Sequence, residues 1–443
     1  MKVRDKEFYK KLRSFMIPIA FQNFMLAAVS AGDSAMLGFV DENAMAAVSL
    51  AGNVQFVQNL FLSAIGCGGT IMTAQYWGKG DKTTIGRLFG LSLRYAGVIS
   101  LIFSVVAFAF PEFLMSLFTN ETELITLGKD YIRIAAPSYL IIGITQCWLC
   151  VMKATGQTKQ SATISTFALV LDTVLNAVFI FGFSMGIKGA ALTTTIARVV
   201  EFVIVLYYTK KMYVKLDFTR VSKQLNFDFI KYSSPILVNA LTWGIGTTLY
   251  SVIIGHLGSV ITTAFSVANI VRQLAISVCQ GLGAGGEIML ANVLGSGDMV
   301  KAKEYGGRLS RLSVLCGLFC ACLALIFGFA LYNFMNLSAD VRHTLSVMII
   351  ISAFYVIALS VNNVVICSIF RAGGDTAFDA YSLIVTMWFI ILPAAFAAAF
   401  LFKWEPIIVY LILSLDESVK IPWVYAHYKK YKWLNNITRG EVE

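Results

Sequence analysis

Apolar runs of about 20 residues or more, separated by short polar connections, fill most of this chain. A helix needs about 20 such residues to cross about 30 Å of hydrocarbon. In lipid a helix satisfies its backbone hydrogen bonds internally, so these runs read as spans. The pattern predicts twelve of them, near 15–40, 46–76, 91–118, 127–153, 158–183, 187–208, 229–256, 260–293, 308–334, 343–370, 376–402 and 406–428. The runs are continuous and do not alternate, which sets a β-barrel aside. The first run, from about Phe15 to Val40, exceeds the roughly 7–15 residues of a signal-peptide core and reads as span one.

The pattern also repeats. Residues 18–81 reappear at 235–298 without a gap. Pro18 pairs with Pro235 and Gly38 with Gly255. Gly66, Gly68 and Gly69 pair with Gly283, Gly285 and Gly286, and Gly78-Lys79-Gly80-Asp81 with Gly295-Ser296-Gly297-Asp298. Farther on, Lys153-Ala154-Thr155-Gly156-Gln157-Thr158 resembles Arg371-Ala372-Gly373-Gly374-Asp375-Thr376. The expected fold is an all-α polytopic membrane protein with 12 transmembrane helices in two six-helix lobes. The two copies share one orientation, so a pseudo-twofold axis along the membrane normal is expected, with a cavity on it. The expected division is an N-terminal lobe at 1–206, a connecting loop at 207–228 and a C-terminal lobe with a short basic tail at 229–443. Duplicated folds of this kind carry a substrate between their halves.

Composition agrees, with 58% hydrophobic and 14% charged residues and a mean hydropathy of +0.74; soluble domains carry about 25% charge. The net charge of +10 lies in alternate loops, among them Lys79, Lys82 and Arg87, then Lys210, Lys211 and Lys215, then Lys429, Lys430 and Lys432. That alternation explains the charge without nucleic acid. Basic loops stay inside, so a multi-pass protein of the cell membrane with both termini cytoplasmic is expected. The eight cysteines lie mostly in apolar segments, and the three histidines near predicted helix ends. No metal-ligand spacing or catalytic constellation appears. A non-enzymatic monomer without a cofactor is expected.

Ionisable residues inside spans are costly and mark function by default. Asp33 lies in span one, Asp172 and Asn176 one turn apart in span five, and Thr194 in span six. At about 1.5 Å rise per residue, all four sit about 10–17 Å below the outer surface. Hard oxygen donors suit Na⁺ or a proton. Burial penalises a charged carboxylate, and a second one nearby adds to the penalty. Such a pair can hold a proton or cation in one state and release it in another. The competing reading is that Asp33 and Asp172 only bond across helices. Thr193 and Thr195 flank Thr194, so that position carries less weight.

The second half differs. Tyr250 stands where the repeat places Asp33, and span ten offers Asn362 and Asn363. Arg198 and Glu201 are spaced as an ion pair. Arg272, Glu287, Asn362 and Asn363 are candidates for a cavity wall, and Asp416, Glu417 and Lys420 either face it or pair with one another. The repeated glycines let helices approach closely. Pro18 either permits bending of span one or is a harmless proline of its first turn. Methionine and aromatic side chains suit a deformable pocket for apolar cations.

From about 10 to 430 the chain resembles the multidrug and toxic compound extrusion (MATE) transporters. The resemblance rests on Gly32-Asp33-Ser34-Ala35-Met36-Leu37-Gly38, on Ala46-Ala47-Val48-Ser49-Leu50-Ala51 and on the two Gly-x-Gly-Asp loops. Leu175-Asn176-Ala177-Val178-Phe179-Ile180-Phe181-Gly182, Gly186-Ile187-Lys188-Gly189-Ala190-Ala191 and Arg371-Ala372-Gly373-Gly374-Asp375-Thr376 add to it. It implies antiport driven by H⁺ or Na⁺, alternating access, and export of cationic or amphiphilic small molecules across the lipid bilayer. It also implies a cation site at Asp33, Asp172, Asn176 and Thr194, and a hinge at Pro18. The order of Asn and Asp in span five is exchanged relative to the family pattern. The wider superfamily leaves a flippase for lipid-linked precursors as the alternative.

Overall fold

The protein is described by a computed structural model covering residues 3–38, 42–219, 221–335 and 337–439, with the side chain of Asp33 outside the described residues. Helix follows helix, and no strand occurs among the described residues. The first six rods are α1 (Val3–Gly38), α2 (Glu42–Lys79), α3 (Lys82–Ala109) with the short α4 (Pro111–Ser116), α5 (Thr122–Ala154), α6 (Thr158–Ala177) and α7 (Gly186–Thr209). The second six are α8 (Lys223–Gly255), α9 (Ser259–Gly295), α10 (Met299–Phe334), α11 (Ala339–Asn362), a rod built of α12 (Ala377–Leu383) and α13 (Leu392–Phe396), and a last rod of α14 (Pro406–Leu413) and α15 (Asp416–Tyr428). Wider π-helical turns extend α6 over Val178–Gly182 and α11 over Asn363–Phe370, and join α12 to α13 over Ile384–Ile391.

Eleven rods among the described residues are long and apolar enough to cross a membrane. The twelfth breaks at Ser414 and Leu415 and carries Asp416, Glu417 and Lys420, which lowers its hydropathy. These are the twelve transmembrane helices of two six-helix repeats in an all-α polytopic membrane protein. Exposed apolar side chains form stripes at helical spacing, as Val98, Leu101, Ile102 and Val105 do on α3. Such stripes suit acyl chains in place of water.

The repeated Gly-x-Gly-Asp loops have one physical explanation. Gly80 and Gly297 adopt φ of 86° and 83°, the left-handed region that glycine enters without a Cβ penalty. The next residue caps the following helix. Asp81 accepts from Thr84 N at 2.9 Å and Asp298 from Lys301 N at 2.9 Å. Just before each loop the paired glycines permit a close crossing of α2 and α9. A Cβ on Gly78 would lie 1.9 Å from the Asn292 carbonyl oxygen, and one on Gly295 would lie 1.9 Å from that of Gln75.

The chain divides into two compact units, one of Met1–Phe24, Ala74–Gly80 and Lys231–Glu443, the other of Met25–Thr73 and Asp81–Ile230. Two pieces of the first repeat therefore pack with the second. In the first unit, a Cβ on Gly281 of α9 would meet Ala20 of α1 at 2.5 Å. Pro18 lies in this part of α1, six residues before the units change over at Phe24 and Met25.

The chain after α15 is anchored in the same unit by two buried side chains, Trp433 and Ile437. Trp433 is fully buried, against Gly306 and Gly373. Gln75 of α2 accepts from Ile437 N at 2.9 Å and donates to the Asn435 and Ala372 carbonyls at 3.3 and 2.6 Å. In the second unit Gln58 of α2 is likewise buried, donating to the Tyr139 carbonyl at 2.8 Å and to Ser100 Oγ at 3.2 Å.

Candidate functional site

Among the described residues, each unit holds one cluster of buried polar groups at positions the sequence marks for chemistry. The first sits on α6 and α7. Asp172 and Asn176 are four apart, so they share a face of α6, and they are 7% and 4% exposed. The hydroxyl that meets Asn176 from α7 is that of Thr193, which is fully buried and bonds Asn176 Oδ1. Thr194 turns back on its own helix and donates to the Ala190 carbonyl at 3.1 Å. Thr195 does the same at Ala191, at 3.0 Å, and also reaches the Ile134 carbonyl at 3.2 Å. Three successive threonines point about 100° apart around a helix, and only the rotation of α7 decides which one meets α6.

Asp33 belongs to the same unit by its backbone in α1, but its side chain lies outside the described residues. Farther along α7, Arg198 Nη1 lies 2.9 Å from Glu201 Oε2, so this pair is internal to one helix. The donor set on α6 and α7 is a carboxylate, an amide oxygen and a hydroxyl. These are hard ligands, fit for a proton or Na⁺ and unfit for a soft metal. No cluster of His, Cys, Asp or Glu suited to a metal ion occurs among the described residues.

The second cluster gathers where the last rod breaks. Glu417 Oε1 lies 2.8 Å from Lys420 Nζ. Asn362 at the end of α11 donates to Glu417 Oε2 and to its carbonyl, both at 2.7 Å. Asp416 Oδ1 accepts from Glu417 N at 2.7 Å. A buried pair withstands desolvation only when further hydrogen bonds support it, and Asn362 supplies one to the carboxylate.

Next to it, Asn239 of α8 donates to Asp379 Oδ1 at 2.9 Å, and Arg371 Nε donates to Asp379 Oδ2 at 2.8 Å. A cavity of about 210 Å³ opens among α8, α11, α12 and α15, with Asn239, Trp243, Asn362, Asn363, Glu417 and Lys420 in its wall.

Of the four residues expected at a cavity, Asn362 and Asn363 line this one. Arg272 is instead stacked on Tyr355, its guanidinium carbon 3.8 Å from the ring centroid. Glu287 of α9 is buried outside that wall, and its Oε1 meets no hydrogen-bond partner among the described residues. Asn239 and Thr193 were not singled out from the sequence. The Thr193–Thr195 run signals the second, and nothing local signals the first.

The MatE family model matches residues 18–178 and 235–397, one match per repeat. A Bacillus subtilis protein described as an uncharacterized transporter, YisQ, is 22% identical over 98% of this chain and 96% of its own. The Bacillus subtilis probable multidrug resistance protein YoeA is 20% identical over 97% and 96%. Among solved structures, the Vibrio cholerae MATE transporter VcmN in its bent form superposes with a TM-score of 0.87 at 18% identity, covering 97% of this chain and 98% of its own.

Proposed function

Because the chain belongs to the MatE family of membrane transporters, we propose that it is a secondary antiporter, exporting organic cations, drugs or related amphiphiles in exchange for H⁺ or Na⁺ by alternating access. The relatives named as probable multidrug resistance proteins support the cargo class. The observation that carries the coupling is Asp172, buried in an apolar helix pair and on one face of α6 with Asn176, which the Thr193 hydroxyl bonds.

A carboxylate in that setting gains from an arriving proton or cation. Asp33, Asp172, Asn176 and a threonine of α7 form the coupling site in this reading. Occupancy of that site biases which face of the membrane the cargo path opens to, and Pro18 lets α1 bend as it changes. Both termini lie in the cytoplasm, and the protein works as a monomer.

The flippase alternative asks for arginines that grip a pyrophosphate. Arg198 is engaged by Glu201 and Arg272 by Tyr355, so neither supports it.

The test is transport of a fluorescent organic cation in proteoliposomes, with a pH gradient and a Na⁺ gradient imposed separately. Asp33→Asn and Asp172→Asn are expected to abolish gradient-driven efflux while the proteins still insert and fold. Undiminished efflux by both variants would defeat the assignment.

A further inference from the structure

The cavity among α8, α11, α12 and α15 holds a finished ion pair in its wall, and that pair has an ammonium as one partner. Lys420 Nζ sits 2.8 Å from Glu417 Oε1 and so occupies the place that an ammonium from outside would take. Beside it, Asn362 is 2% exposed and lines the same cavity. Its Nδ2 is spent on Glu417, while its Oδ1 has no hydrogen-bond partner among the described residues. A buried acceptor left unmade costs free energy that a donor recovers. The wall thus offers a carboxylate and a spare amide oxygen as acceptors, with one tethered donor between ligand and acid.

The rest of the wall fits the remainder of an amine. Trp243 supplies an aromatic surface, which attracts cations, and Leu359 and Ile366 supply apolar surface for a short alkyl chain. Glu417 and Lys420 cancel each other's charge, so an entering cation must displace Lys420 and not merely join it. Asp379 lines the same cavity and Asp416 adjoins Glu417 on α15, which gives a displaced ammonium other carboxylates to turn toward. An ammonium that carries N–H groups can bond Glu417 and Asn362 Oδ1 together. A quaternary ammonium has no N–H and cannot.

We propose that this cavity is a cargo site for primary alkylammonium ions, which bind by taking the place of Lys420 on Glu417. The inference deepens the transporter reading and rests on it in treating the cavity as part of the cargo path.

Binding is measured without any gradient, by calorimetry on the full-length protein in lipid nanodiscs, with empty nanodiscs subtracted. The probes are hexylammonium chloride and hexyltrimethylammonium chloride. Hexylammonium is expected to bind at least about ten-fold tighter than its quaternary analogue, one lost charged hydrogen bond being worth about that factor or more. Glu417→Gln is expected to weaken hexylammonium at least about ten-fold, and Lys420→Met to tighten it several-fold by removing the internal competitor.

Equal affinity for the two probes overturns the proposal, and so does a Lys420→Met protein that binds no better than the native one. Should either single variant fail to fold, Glu417→Gln/Lys420→Met replaces the pair with neutral side chains of similar size. That double variant is expected to bind neither probe, and retained hexylammonium binding by it overturns the proposal as well. Failure here leaves the Asp172 efflux test standing, since that test reads gradient coupling and this one reads equilibrium binding.

Discussion

On α6 the buried acid, Asp172, shares its face with a neutral oxygen donor, Asn176, which the Thr193 hydroxyl of α7 bonds. On α15 the buried acid, Glu417, sits three residues from a lysine that neutralises it. Both acids lie in spans of the same duplicated architecture, yet their charges are managed in different ways. Neutral donors leave room for a proton or a metal ion to complete the shell. A lysine completes the shell from within, so anything else that binds must compete with it. Asp172 stands on the fifth rod of the first repeat and Glu417 on the sixth rod of the second, so the contrast is between two sites and not between two copies of one helix.

The contrast is tested first where the effect is largest. Glu417→Ala leaves Lys420 buried without its carboxylate. Removing one partner of a buried pair costs about 3–5 kcal/mol, and thermal unfolding in nanodiscs is the measurement. Glu417→Gln/Lys420→Met removes both charges together and is expected to recover most of that loss. A Glu417→Ala protein as stable as the native one would show that the pair contributes nothing to the second repeat.

Asn176→Ala is the matching change in the first repeat, and its effect is smaller. It removes an interhelical contact between neutral groups, and such contacts in membrane proteins are worth about 0.6–1.7 kcal/mol. Thr193 keeps its bond to the Ala190 carbonyl at 2.9 Å, so its hydroxyl is not stranded. The expected result is a modest fall in the unfolding midpoint, well short of that for Glu417→Ala. If the two losses are equal, the first cluster is as much a structural brace as the second.

Asp172→Asn is smaller still in stability. The amide keeps the size and an oxygen acceptor and sheds the charge, so a change under about 1 kcal/mol is expected. Efflux, by contrast, is expected to fail. A stability loss as large as that of Glu417→Ala would instead mark Asp172 as a bonded support.

Much of this was legible before any coordinate. Twelve helical rods follow from apolar runs of spanning length, because lipid leaves the backbone few alternatives. The Gly-x-Gly-Asp loops were legible as a repeat, and their two devices, a left-handed glycine and an aspartate cap, are local. The chain after α15 was not. Its composition reads as a short basic tail, yet Trp433 is fully buried and Ile437 bonds Gln75 across the length of the chain. No window of sequence contains both partners. The break in the last rod had a signal in Asp416, Glu417 and Lys420, but the Asn362 contact that makes the pair tolerable comes from another helix. Acids announce themselves through the cost of burying charge, whereas a neutral partner such as Asn239 carries no such charge and has no local signal, and Thr193 is marked only by the threonine run it belongs to.

The threonines give the finest version of the comparison. Thr193 and Thr194 are adjacent and chemically identical, and the resemblance to the family pointed to Thr194. In the fold the Thr194 hydroxyl bonds Ala190 within α7, a bond that serves the helix alone. Replacing it by valine removes a solitary hydroxyl at similar volume, so a change of a few tenths of a kcal/mol is expected, with efflux near native. Thr193→Val instead removes the hydroxyl that orients Asn176, at about 0.6 kcal/mol, and is expected to slow gradient-driven efflux at unchanged expression. Efflux per molecule at matched gradients is the measurement. If Thr194→Val fails to transport and Thr193→Val does not, α7 presents its other face to the ion during the cycle, and the helix must rotate by about one residue's angle, 100°, to do so.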